Sequence, residues 1–226
     1  MKMSLECATK LLASYSGRDK VLRTLGYTSL FLSGAIKDKN NAESFRILSS
    51  KLSGCRAVLR LFDDLPMLSC TLSYGFGKHE PDKLLRLLNL LTNAVDQGFY
   101  PIEHIAWAAE NNIISLKNVD SWSLANSFCW VISLYLTLLS CLRKLSLLHS
   151  QRQQCPTDLI RQASLKAEQQ AQFLLAVQSM LDLGHAVHWL PKGFLWGGTM
   201  KPWQRGLLGT LSSFISFYRA LKAMRH

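Results

Sequence analysis

The sequence predicts an all-α fold: a helical membrane protein with amphipathic helices at the bilayer interface and one or two transmembrane helices. Three observations carry that prediction. Apolar residues make up 48% of the 226-residue chain and charged residues only 18%, against about 25% charged in an ordinary soluble domain. Residues 121–142 contain no charge at all. No sustained apolar–polar alternation of the kind that marks a half-buried strand occurs along the chain.

Taken in order, the uncharged stretch 24–36 is too short to cross a bilayer alone. Residues 44–65 come next. Phe45, Leu48, Leu52, Cys55, Leu59 and Phe62 recur at three- and four-residue spacing and share one helical stripe. Arg46, Arg56 and Arg60 fall on the other side with Ser49 and Ser53. Lys51 sits near the edge of the stripe, where its long stem can snorkel. An apolar face opposite a basic one lets a helix lie in a membrane interface and wedge one leaflet. The same pattern also describes a core helix with a solvated face.

The leucine-rich stretch 84–95 is again too short to span. Residues 121–142, SWSLANSFCWVISLYLTLLSCL, are not; about 20 apolar residues cross a hydrocarbon core of about 30 Å. Trp122 suits the interface, and Arg143 with Lys144 can reach head groups at the far end. Residues 173–190 are long enough, but Asp182 lies among them, which favours a core or interfacial helix. Residues 203–221 form the second candidate span. Their uncharged centre, 206–218, lies between Arg205 and Arg219, whose snorkelling would lengthen it. Gly206, Gly209, Ser212, Ser213 and Ser216 suit close packing against another helix. Gly75, Gly77, Pro81, Gly98, Pro101, Pro156, Pro191, Gly197, Gly198 and Pro202 mark breaks.

The net charge of +11 is uneven. Residues 1–120 carry fifteen Lys and Arg against twelve acids, and residues 121–226 carry eleven against three. A basic excess seeks an anionic partner. With so apolar a chain and no nucleic-acid motif, that partner is an anionic phospholipid membrane rather than nucleic acid. The six cysteines are scattered, without zinc spacing, and read as reduced thiols. The N-terminus lacks the apolar core of a signal peptide and the C-terminus lacks a Ser-Lys-Leu address, so a targeting signal would be internal.

No catalytic constellation emerges, and neither a cofactor nor a metal is expected. His185 and His188, near Asp182, have the spacing of metal ligands but no supporting motif. Asp63 and Asp64 are adjacent, so on a helix they diverge and cannot share a proton. Glu103 and His104 follow Pro101, where a helix start is expected. The glycines at 193, 197 and 198 do not form a phosphate loop.

Several stretches together resemble one family. Tyr15-Ser-Gly17-Arg18-Asp19-Lys20-Val-Leu-Arg23-Thr-Leu-Gly-Tyr27 is similar to the opening motif of the peroxin-11 family of peroxisomal membrane proteins. Arg56-Ala-Val-Leu59-Arg60-Leu61-Phe62-Asp63-Asp64 resembles that family's amphipathic helix. Leu61 to Leu65, Tyr100 to Trp107, and Ala186-Val-His188-Trp189-Leu190-Pro191-Lys192-Gly193 with Trp196 resemble its gamma type. The resemblance covers roughly residues 10–220.

It implies a non-enzymatic role in peroxisome elongation, proliferation and fission. Amphipathic-helix insertion, association with itself and paralogous members, and recruitment of fission adaptors and a dynamin-related GTPase would carry that role. It also implies a multi-pass peroxisomal membrane protein with both termini cytosolic. Residues 1–120 would then be a cytosolic-side helical region, 121–142 a span, 143–202 a lumenal helical loop, 203–221 a second span and 222–226 a basic cytosolic tail. Arg143 and Lys144 would sit in the lumen, against the usual positive-inside bias. Two rival readings are a pore for small metabolites and an adaptor whose amphipathic helix binds protein rather than lipid.

Overall fold

A computed structural model describes residues 5–155 and 157–223, which contain no strand. The helices are α1 (Leu5–Ala13), α2 (Tyr15–Ala35), α3 (Lys39–Arg60), α4 (Asp64–Tyr74), α5 (Lys83–Glu110), α6 (Val119–Gln154), α7 (Leu159–Ala186) and α8 (Pro202–Ala223), with a 3-10 turn at Val187–Trp189. They form two compact units, one of Met1–Arg60 with Thr199–His226 and one of Leu61–Gly198. Arg225 of the expected basic tail, the expected break at Pro156 and the side chain of Cys7 lie outside the described residues. No disulfide joins the cysteines whose side chains are described.

In the first unit α2 is the central element, packed against α3 and α8. Ser14 starts it, its hydroxyl accepting a hydrogen bond of 3.0 Å from the Gly17 amide. The α2–α8 contact depends on missing side chains. A Cβ on Gly34 would lie 2.6 Å from the Trp203 nitrogen, and one on Gly206 would lie 2.5 Å from Phe31 Cα. Thr210 and Ser213 of α8 are buried, and their hydroxyls donate back to the carbonyls of Gly206 and Gly209 at 2.7 and 2.6 Å. Such back-bonding satisfies small polar side chains without water, so two helices can approach closely.

In the second unit α5, α6 and α7 run antiparallel in sequence. Two hydrogen bonds fix the register of α5 on α6: Arg143 Nη2 donates to Asp82 Oδ2 at 2.6 Å, and Ser123 Oγ donates to Glu110 Oε1. Two contacts do the same for α7: Lys144 Nζ lies 3.0 Å from Glu168 Oε1, and the Trp130 and His185 rings lie 5.7 Å apart. α6 is the one described helix both long and apolar enough to cross a membrane by itself. Only 11% of its most apolar window is buried, so it is not an ordinary core helix.

The elements depart from the sequence expectations in two places. The expected helix 44–65 is interrupted: α3 ends at Arg60 and α4 starts at Asp64. Pro66 supplies the reason. Within a continuous helix its ring would strike the carbonyl of Phe62, whereas in the first turn of a new helix it is tolerated. Phe62 is left in the turn, 72% exposed. Secondly, α5 runs through Gly98 and Pro101 instead of breaking there. Pro101 lies on the exposed side, and packing of α5 along α6 holds both halves in one helix. Residues 143–202, expected as a helical loop, contain α7, which runs back beside the apolar part of α6.

Candidate membrane-facing site

Helix α3 presents two apolar edges rather than one. Phe45, Leu52 and Leu59 are half-buried and Ser49 is buried, which places this edge against α2. A Cβ on Gly26 of α2 would lie 3.6 Å from Leu52 Cβ, an ordinary packing distance. Tyr15 donates its hydroxyl proton to the Leu59 carbonyl at 2.9 Å. On the opposite side Ile47, Leu48 and Val58 are 49%, 45% and 43% exposed, with exposed Cys55 and Lys51 among them. Positions 47, 51, 55 and 58 repeat at helical spacing and make one stripe.

The predicted membrane set is therefore divided. Leu48 and Lys51 face outward, and so does Arg46, whose guanidinium bonds Glu43 through Nε to Oε2 at 2.7 Å. Phe62 is exposed but outside the helix. Phe45, Leu52 and Leu59 turn toward α2, and Arg60 is half-buried. Arg56 departs furthest from expectation. Its side chain is 14% exposed, and Nε donates to Asp19 Oδ1 of α2 at 2.8 Å. A guanidinium bound to a carboxylate inside the unit is not offered to lipid phosphates. Ile47 and Val58 were missed because the stripe was centred on Phe45 and Phe62; the pair at 47 and 58, eleven residues or three turns apart, was the available signal.

The residues of the expected family motif hold helices together. Gly17 is buried where a Cβ would strike the Leu11 carbonyl, fixing the α1–α2 junction. Arg18 is exposed. Asp19 binds Arg56, and Lys20 Nζ donates to Ser16 Oγ at 2.5 Å. Burial is the main cause that lowers the Lys20 pKa. Arg23 donates to Ser212 Oγ of α8 at 2.9 Å while its guanidinium lies 5.7 Å from the Tyr27 ring centroid. Tyr27 in turn lies over Gly209.

In the second unit the ring of His188 meets that of Trp189 edge-on at 5.9 Å, and the His188 carbonyl accepts from Gly198 at 2.8 Å. Trp189 is 53% exposed. Asp182 and His185 are buried, and His185 stands between Trp130 and Trp189. No group of three or more metal-ligating side chains occurs among the described residues.

A helical chain with one strongly apolar helix long enough to cross a membrane and an exposed apolar stripe beside lysine has the make-up of a helical membrane protein. The chain belongs to the family of Peroxisomal biogenesis factor 11 (PEX11), whose profile matches residues 5–221. It is 38% identical to human Peroxisomal membrane protein 11C, over 97% of this chain and 95% of that one. The mouse protein of the same name is also 38% identical, over 95% and 93% of the two chains. Peroxisomal membrane protein PMP27 of Saccharomyces cerevisiae is 26% identical over 63% of this chain and 59% of that one. No solved structure matches.

Proposed function

We propose that this chain is a peroxisomal membrane protein that elongates the peroxisome membrane and promotes its proliferation and fission. In this reading α3 lies along the cytosolic leaflet, and the stripe of Ile47, Leu48 and Val58 enters it. The exposure of that stripe is the observation that carries the proposal. A wedge of this kind sinks about 5–10 Å into the head-group boundary. Lys51 then meets lipid phosphates, adding about 1 kcal/mol near an anionic surface. Copies associating with one another and with paralogous members concentrate the wedges. Recruitment of fission adaptors and a dynamin-related GTPase completes the division role, with both termini cytosolic; these parts rest on the family resemblance.

The test uses the full chain in anionic proteoliposomes, scored by electron microscopy. Combining Ile47→Asp, Leu48→Asp and Val58→Asp should abolish tubules while far-UV circular dichroism stays helical. Tubules that persist in the helical variant would exclude α3 as the wedge. A second reading, a path for small metabolites, draws on a cavity of about 230 Å³ lined by Asn89, Thr92, Thr137, Ser140, Lys144 and Gln172. Solute flux through the same proteoliposomes separates it from membrane shaping.

A further inference from the structure

The second unit turns its ionisable side chains inward where a soluble bundle would turn them out. Its register places residues 87–108 of α5, and residues 172–190 of α7 and the turn after it, beside residues 121–142 of α6. These three ranges contain no Lys or Arg. Their acids and histidines are Asp96, Glu103, His104, Asp182, His185 and His188. All six are buried or half-buried. The Asp96 carboxylate meets Ser133 of α6, and the two ring nitrogens of His104 lie 2.6 and 3.1 Å from the carbonyl oxygens of Tyr100 and Leu61.

The exposed positions at the same level are uncharged. Leu87 and Leu91 project from α5, Ile132 and Tyr135 from α6, and Phe173 and Met180 from α7. Charged side chains bracket this level at both ends: Lys83, Arg143, Lys144 and Glu168 at one, Glu110, Lys117, Asp120 and Lys192 at the other. Helices facing water carry their charges outward. A surface of leucine, isoleucine, phenylalanine and methionine between two charged belts fits hydrocarbon.

We infer that α5, α6 and α7 cross the bilayer together as one three-helix bundle whose exposed face contacts lipid acyl chains, while residues 61–82 run back along α5 from His104 past Gln97 to Arg86, so that the chain enters the bundle from the same membrane face on which it leaves at residue 199. Residues 172–186 of α7 and the 3-10 turn at 187–189 together span about 28 Å, at rises of about 1.5 and 2.0 Å per residue, close to the hydrocarbon thickness of about 30 Å. Asp182 made this segment look unfit to cross; it is 6% exposed and faces the bundle interior, where intramembrane acids reside. The consequence is a definite sidedness. Lys117 and Lys192 emerge on one face of the membrane and Thr157 on the other, whereas a lumenal loop 143–202 would keep Thr157 and Lys192 together.

This inference rests on α6 crossing the bilayer, and the test separates the two ideas. The full chain, with its native cysteines replaced and its helicity checked by circular dichroism, carries single cysteines as Lys117→Cys, Thr157→Cys or Lys192→Cys. Each is reconstituted in proteoliposomes and exposed to a membrane-impermeant maleimide before and after permeabilisation. The bundle requires that the cysteines at 117 and 192 share one reactivity and that the cysteine at 157 shows the opposite one. Matching reactivity at 157 and 192, opposite to 117, would mean that α6 crosses alone and overturn the bundle. Equal reactivity at all three would remove the α6 crossing itself.

Discussion

A single methyl group added to Gly206 tests the α2–α8 contact. An alanine in place of a mid-helix glycine gains about 0.8–1 kcal/mol from backbone propensity alone. At Gly206 the new Cβ would sit 2.5 Å from Phe31 Cα and 2.8 Å from the Leu30 carbonyl carbon. Carbon atoms pack at about 3.5–4.0 Å, so α8 must retreat by about 1 Å. Both obstructing atoms are main chain and cannot rotate aside. Overpacking costs about 1–3 kcal/mol, and the fixed obstruction places Gly206→Ala at the upper end, leaving a net loss of about 1–2 kcal/mol.

Gly54 of α3 is the control, because a Cβ there meets nothing within 4 Å. Gly54→Ala should raise stability by up to about 1 kcal/mol, the opposite sign from the same chemical change. Thermal unfolding of the full chain in detergent, followed by far-UV circular dichroism, reads the difference. A shift of about 2–4 °C per kcal/mol puts Gly206→Ala about 2–8 °C below the parent and Gly54→Ala slightly above it. If Gly206→Ala matched or exceeded the parent, the close approach of α2 and α8 would not exist.

Two further outcomes follow from ion pairs. Arg143 is the main cause holding the Asp82 carboxyl down from 3.8 to about 2, assisted by the Leu85 amide. A folded-state pKa below the unfolded value adds stability above about pH 4 that disappears as pH falls through about 2; Asp82→Asn should flatten that part of the acid limb in an unfolding titration. For Arg56 and Asp19, whose side chains are 14% and 25% exposed, a double-mutant cycle with alanine should give a coupling of about 1–2 kcal/mol, between exposed and buried pairs. Vesicle binding by Arg56→Ala should be unchanged; weaker binding at unchanged stability would return this arginine to the lipid face.

The all-helical fold and the one helix long and apolar enough to cross a membrane were legible because both depend on local quantities. An uncharged run of 22 residues needs no tertiary information to be recognised, and its helix continues on both sides of that run. The small residues of α8 were legible for the same reason, since Gly206, Gly209 and Ser213 fall on one face at helical spacing. The site was only half legible. Periodicity shows which residues share a stripe, but not which of two neighbours, α2 or a membrane, covers it. Leu52 and Leu48 are equally apolar, yet one meets Gly26 and the other faces out. Arg56 misled for a related reason: its partner, Asp19, lies 37 residues away, where no local pattern reveals it. The burial of Asp182 was likewise not legible, because it exists only once α7 is folded against its neighbours.

The same reasoning separates what identifies the family from what would touch the membrane. Within thirteen residues, Tyr15 to Tyr27, four side chains reach other helices: Tyr15 and Asp19 bind α3, while Arg23 and Tyr27 engage α8. These side chains succeed one another at four-residue steps along α2, so one helical edge serves both neighbours. Replacing any of them leaves a partner behind: the Leu59 carbonyl, the Arg56 guanidinium, the Ser212 hydroxyl, or the open space over Gly209. A motif of this kind specifies how three helices assemble. The outer stripe of α3 needs only to be apolar and helical, with Lys51 able to snorkel, and many residue combinations meet that requirement. The motif most useful for recognition is therefore, on these contacts, a clamp, and it holds α3 in the orientation that leaves Ile47, Leu48 and Val58 exposed.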